Sequence, residues 1–364
     1  MEHNMLTLDF WQDAMTYEGH TMPTGSLGCN ALNISDEVLN TLNGLCAPLN
    51  RFMGTLQAGM PEAELLPAAR ESAIQILDAL VAIPPFSYLD RDFYAKGIED
   101  AFTQEGIEYF QAYTLALMTG GLNTETTAKH RRGILLGRLT PVLAQLGFSL
   151  REYKKEMTAF AEKLNGPEVE RTPDGFATCF GEHFKPEQNG SWMDTTNISV
   201  QYVSAVLPGD ETPRLVKRMH FVSFVGMLRA DLFEGLCVGH APRKCPICGR
   251  WFLTTNARHT KYCGGLAPGD KLGRTCRQIG NLHGRGQREL ADDHPLKMIY
   301  ERRLNTINRS VSRGTLDRET ASAMKKLAKD KLLRAISDSK YAKGGYAQEM
   351  EQDALRKEIQ MQNT

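Results

Sequence analysis

The sequence predicts a mainly α protein with few strands: a helical N-terminal region, a small cysteine-stapled module and a basic helical hairpin. Three observations carry this. Apolar residues recur at helical spacing through most of the chain as far as about residue 238. Four of the eight cysteines fall within Cys245–Cys276. Beyond them the charge turns strongly positive and helical periodicity returns. A chain of 364 residues has room for more than one core. The expected divisions are 1–240, 241–285, 286–343 and a polar tail, 344–364.

Residues 1–33 give no clean period beyond a short strand around Met5–Phe10. Pro61 opens PEAELLPAARESAIQILDALVAI, where Ile74, Leu77, Leu80 and Val81 share a helical face and Pro84-Pro85 ends the run. KGIEDAFTQEGIEYFQAYTLALMTGG reads as one amphipathic helix closed by Gly120-Gly121. AKHRRGILLGRLTPVLAQLGF follows, with a break or kink expected at Pro141, and then the helix LREYKKEMTAFAEKLN. SVQYVSAVL, residues 199–207, alternates and is rich in valine, so a strand is expected before Pro208-Gly209-Asp210. Pro213–Val238 is expected to return to helix, with Leu215, Met219, Val222 and Leu232 near one face. After the cysteines, Leu296, Ile299, Leu304, Ile307 and Val311 mark one helix of the hairpin, and Met324, Leu327, Leu332 or Leu333 and Ile336 mark the other. Lys343-Gly344-Gly345 reads as a hinge before a frayed tail.

The formal net charge is zero, yet it divides unevenly. Ala241–Lys343 holds 23 basic and 9 acidic residues, and the region before it is acidic. A basic half suggests an anionic partner; the plainer reading is two solvated surfaces. MEHNMLTLDFWQD lacks the basic start and apolar run of a secretory signal, and no apolar stretch is long enough to span a bilayer. The expected location is the cytoplasm, with no membrane partner.

The clustered cysteines are spaced C-x2-C-x14-C-x12-C. Zn²⁺ takes four tetrahedral ligands and thiolates suit it, so Cys245, Cys248, Cys263 and Cys276 are the expected ligands of a structural zinc. Gly249 tolerates the positive φ that a turn after Cys248 needs. RWFLTT reads as a strand, NARH as a turn and TKYC as the returning strand. GGLAPGDKLGRT reads as a mobile turn between the last two ligands. Three alternatives stay open: His259 or His283 replacing one cysteine, free thiols, and a redox CxxC. A redox pair opens a helix after a strand, whereas an aromatic strand follows this one. A zinc deaminase needs His-x-Glu upstream, and His183, His220 and His240 lack it. A nuclease built on the module would need a placed histidine pair, for which His259 and His283 are the available residues.

The combination CPICGRWF, then KYC, then CR resembles treble-clef-like zinc fingers found toward the C-terminal side of many bacterial proteins, and more distantly the CGNR-finger group. CRQIGN stands here where that group has its signature, and the last spacer is long. The resemblance implies a knuckle leading a hairpin, a helix opening near Cys276, Phe252 packed under the metal and Tyr262 beside it. It also implies a DNA-binding regulator.

For nucleic acid, the candidate phosphate contacts are Arg250, Arg258, Lys261, Lys271, Arg274, Arg277, Arg285 and Arg288. Lys244 also lies near the metal, and the following helices add Arg302, Arg303, Lys325, Lys326, Lys329 and Lys331. Trp251, Tyr262 and His259 could stack on bases. The second reading is a protein-interaction scaffold with purely structural zinc. A third is an enzyme acting through Glu99-Asp100, Glu182-His183 or Asp231-Glu234, but no triad spacing or cofactor fingerprint accompanies these pairs.

Overall fold

The computed structural model describes residues 6–121, 127–128, 130–184, 198–255, 260–270, 272–290 and 294–362, with the side chains of 283–289 and 362 outside that description. The chain is mainly helical with few strands, as the periodicity predicts. It forms two compact units, one from Met1–Cys245 with Gly249–Lys261, the other from Pro246–Cys248 with Tyr262–Thr364.

In the first unit, helices surround one five-stranded antiparallel sheet. Its strands are β1 (Leu6–Trp11), β2 (Ala14–Tyr17), β3 (His20–Pro23), β4 (Ser199–Ala205) and β5 (Arg214–Phe221), in the order β3-β2-β1-β5-β4. LTLDFW alternates, and Leu6, Leu8 and Phe10 are its buried face. Glu18 and Gly19, with φ of 47° and 75°, make the tight β2–β3 turn. The β1–β5 register places Asp9 opposite Arg218, whose guanidinium donates to both carboxylate oxygens at 2.7 and 2.8 Å.

Four expectations are corrected here. The first 33 residues hold three strands and the helix Ser26–Ala31, not one strand. Pro213–Val238 is not one helix. Arg214–Phe221 is a strand, and the Ser223 hydroxyl then accepts the Gly226 N–H to start the helix Phe224–Cys237. The run 96–121 is two helices, Arg91–Ala101 and Gln104–Met118, because Phe102 leaves helical geometry and Thr103 caps the second by accepting from Gly106. Pro141 does not break its helix, Arg131–Ala144; the chain bends by 52° after it, into Leu146–Leu164. No single described helix is long and apolar enough to cross a membrane. That bent pair has the length and composition, and its Leu136, Leu139, Leu146 and Leu150 are core residues of the unit.

The helix Phe224–Cys237 packs on Ser26–Ala31 so closely that a Cβ on Gly28 would lie 2.6 Å from the Leu228 carbonyl. Asp231, fully buried, accepts from the Gly25 N–H at 2.7 Å and the Gly28 N–H at 3.0 Å. The Tyr153 hydroxyl donates to Gly28 O at 3.0 Å. Burial pushes the Asp231 carboxyl up to about 7, and the backbone donors oppose that shift.

The second unit is helical: Cys276–Glu289, Pro295–Ser312, Arg318–Ser337, Ser339–Gly344, Tyr346–Glu349 and Gln352–Gln362. Asp317 and Asp338 cap two of these by accepting backbone N–H groups. Its core gathers Ile307, Met324, Leu332, Tyr341, Tyr346, Met350 and Leu355. The expected hinge and frayed tail are therefore corrected: Tyr346–Glu349 and Gln352–Gln362 are helices, and Tyr346, Met350, Leu355 and Ile359 supply core side chains. Lys331, offered above as a surface cation, is buried and pairs with Glu349 at 2.6 Å and Glu358 at 2.8 Å.

Because the folded Asp231 holds its proton to a higher pH than the unfolded chain, its contribution is full below about pH 3.9 and is lost as pH rises through about 7. Asp231→Asn puts an amide donor against backbone donors and should cost about 1–3 kcal/mol near pH 4. Urea melts across this range should show that cost shrinking as the pH approaches 8; a pH-independent cost would contradict the buried proton.

Candidate metal centre

The chain reaches the cysteines through β6 (Ala241–Lys244) and leaves the first pair through β7 (Trp251–Thr254). These strands pair antiparallel, with Lys244 opposite Trp251. The partner of β7 is thus the strand before the knuckle. This corrects the expected hairpin with TKYC, since Lys261–Cys263 forms no strand and Asn256–His259 lies outside the described residues. The knuckle closes through two backbone bonds, Cys245 N–H to Arg250 O and Gly249 N–H to Cys245 O, both 2.9 Å. Gly249 has φ of 73°, which a side chain would oppose.

The sulfur atoms of Cys245, Cys248, Cys263 and Cys276 all lie within 4.8 Å of one another. Cys248 and Cys263 are 3.5 Å apart, well beyond a disulfide bond of about 2.05 Å. Four thiolates bound to one ion at about 2.3 Å stand about 3.8 Å apart, so this spacing fits tetrahedral ligation. Cys245, Cys263 and Cys276 are buried and Cys248 is half-buried. Ionised thiols brought this close repel, and a divalent cation removes that cost.

Hydrogen bonds hold the described residues of the loop from Cys263 to Cys276. Cys276 N–H donates to Gly265 O, and Ala267 N–H donates to Arg274 O. Asp270 accepts from the Leu272 and Arg274 N–H groups and from the Arg274 guanidinium. That guanidinium in turn holds the Asp270 carboxyl below its ordinary range. The Thr275 hydroxyl accepts from the Gln278 N–H, while Gln278 Oε1 accepts from Thr275 N–H, so a capping box starts the helix Cys276–Glu289. One turn on, Gly280 lies under the Tyr262 ring, 2.4 Å from where a Cβ would sit.

The candidate phosphate contacts fare unequally. Arg250, Lys261 and Arg277 are exposed. Arg274 pairs with Asp270. Arg258, His259 and Lys271 lie outside the described residues, as do the side chains of His283, Arg285 and Arg288. Trp251 is buried with the Lys244 ammonium over its ring, which corrects its reading as a stacking platform. Phe252 is half-buried. Sequence reasoning missed Asp270 and Gly280. The G-D-x-x-G-R run and a glycine inside a helical stretch were the available signals.

Of the pairs offered for catalysis, Glu99 and Asp100 are exposed and the other two are engaged structurally. Asp231 holds backbone N–H groups, Glu234 pairs with Lys217, and Glu182 pairs with Lys163. His183 packs against Phe160 and Phe184.

Residues 193–362 match the model of a family of unknown function (DUF6076). The matched stretch contains all four clustered cysteines, together with β4, β5 and the second unit's helices. No curated protein and no solved structure matches the chain.

Cys248→Ser should keep the N-terminal helicity and lose the metal; a full equivalent of metal in the purified variant would refute its role as ligand. Gly280→Ala should displace Tyr262 and weaken metal affinity about tenfold, the scale of an outer-shell change. Competition with a chromophoric chelator reads that shift.

Proposed function

We propose that this protein holds one structural zinc through Cys245, Cys248, Cys263 and Cys276, in the manner of treble-clef-like fingers. A closed set of four thiolates leaves no open position for a reacting water, which suits a structural ion. One observation carries the structural role. Among the described residues, nothing between Thr255 and Glu289 joins either hydrophobic core. A folded stretch without a core of its own is what a metal staple serves.

We infer further that the zinc-stapled module and the helices after it bind nucleic acid through its phosphate backbone. The support is a set of exposed cations without acidic partners. On the helix Pro295–Ser312, Arg302 and Arg309 lie seven residues apart and so on one face, with Arg313 next to its end. On Arg318–Ser337, Arg318, Lys326 and Lys329 are exposed. No ion pair among the described residues engages these six, whereas Lys331 and Arg274 are neutralised. Unpaired cations of this kind attract phosphates and release counterions on binding. Nothing in the helices marks a base-reading module, so the proposed binding is to backbone and shape.

The test is fluorescence anisotropy of labelled duplex DNA and single-stranded RNA against nuclease-treated, metal-replete protein over a salt series. Binding should weaken steeply with salt, and Arg302→Glu with Arg309→Glu and Lys326→Glu should reduce affinity at least tenfold without releasing zinc. Absence of binding to either polymer would reject this reading in favour of a protein-interaction scaffold. Arg250→Glu, Lys261→Glu and Arg277→Glu report the module's share; if these leave binding unchanged, the hairpin alone makes the contact.

A further inference from the structure

The outer edge of the first unit's sheet is β4, and among the described residues no strand pairs with its open side. An edge strand turns the N–H and C=O groups of alternate residues outward, unpaired. Folded proteins blunt such edges with lysine, proline, a bulge or a covering element. SVQYVSA has no charged residue, no proline and no glycine.

The face beside this edge is also bare. The register puts Val200 opposite Met219, Tyr202 opposite Lys217 and Ser204 opposite Leu215. Toward the sheet centre the same face is covered: Leu8, Phe10 and Met219 are buried, and Lys217 pairs with Glu234 of the helix Phe224–Cys237. At the edge the cover stops. Val200 is 51%, Tyr202 71% and Leu215 71% exposed.

We propose that β4 pairs with β4 of a second copy, antiparallel about a twofold axis near Tyr202, to join two sheets edge to edge. Three features favour a second copy over another occupant. Antiparallel self-pairing sets Val200 opposite Ser204 of the other copy and Tyr202 opposite its own equivalent, so no like charges meet. A twofold axis normal to the sheet brings the two bare apolar strips onto one side, where they form a continuous surface. The unpaired backbone groups of both copies find partners in each other. A seven-residue strand spans about 23 Å, so the contact falls at the small end of specific interfaces and the dimer is reversible. This inference is independent of the zinc and of nucleic-acid binding.

The experiment is sedimentation equilibrium on the full, nuclease-treated, metal-replete chain, for the wild type and for Val200→Lys with Tyr202→Lys. Both positions are exposed, so the variant should keep its far-UV spectrum and metal content. The wild type should approach twice the chain mass at concentrations up to about 100 µM, and the variant should dimerise at least tenfold more weakly. Hydrogen exchange should show the segment Ile198–Val206 gaining protection as the wild type is concentrated. A wild type that stays monomeric over this range would overturn the proposal. So would a dimer whose strength the two lysines do not change, or one that leaves β4 exchange unaltered.

Discussion

Four sulfur atoms within 4.8 Å of one another are the constraint on which the middle of this chain depends. From Thr255 to Glu289 the described residues contribute nothing to either hydrophobic core. Apolar burial, the usual organiser of a fold, is therefore weak there. What remains is a set of local polar devices: the knuckle bonds, the Asp270–Arg274 loop and the Thr275–Gln278 capping box. Each is worth about 1 kcal/mol, which is too little to order such a stretch alone. An ion held by the four thiolates would supply the missing term, because its binding free energy is folding free energy.

The helical class and the cysteine cluster were legible in the sequence because each rests on short-range pattern. A 3.6-residue period and the spacing of four like residues need no tertiary information. The strand β5 was not legible. RLVKRMHF pairs with β1, far away in the chain, as well as with β4 just before it, and one helical face could be drawn through it as easily. The C-terminal tail misled for the opposite reason. Its polar residues dominate the composition, yet Tyr346, Met350, Leu355 and Ile359 are enough to dock it. The hairpin partner of β7 was misplaced because a knuckle can be flanked by strands on either side of its cysteines. Nothing in TKYC distinguishes a returning strand from an irregular one.

Charge, too, reads differently once the chain is folded. Counting lysines and arginines treats all of them as surface, but Lys331 and Arg274 are neutralised by carboxylates from nearby turns and helices. The polar tail sets both Glu349 and Glu358 against one buried lysine. The basic character that is left free concentrates on the two long helices after the finger. This narrows the cationic surface that the composition suggested to a smaller and more definite one.

The sheet of the first unit has a temporal consequence. Asp9 meets Arg218 across 209 positions, and β1 alone joins the N-terminal meander to β5. At about 5–20 residues per second, the first strands leave the ribosome roughly 10–40 s before their partner exists. Throughout that interval β1 has β2 on one side, while the edge that will receive β5 has no partner. The nascent chain carries a three-stranded meander with one open edge and the apolar residues Leu6, Leu8 and Phe10 through most of its own synthesis, and that interval is when chaperones have most to offer it.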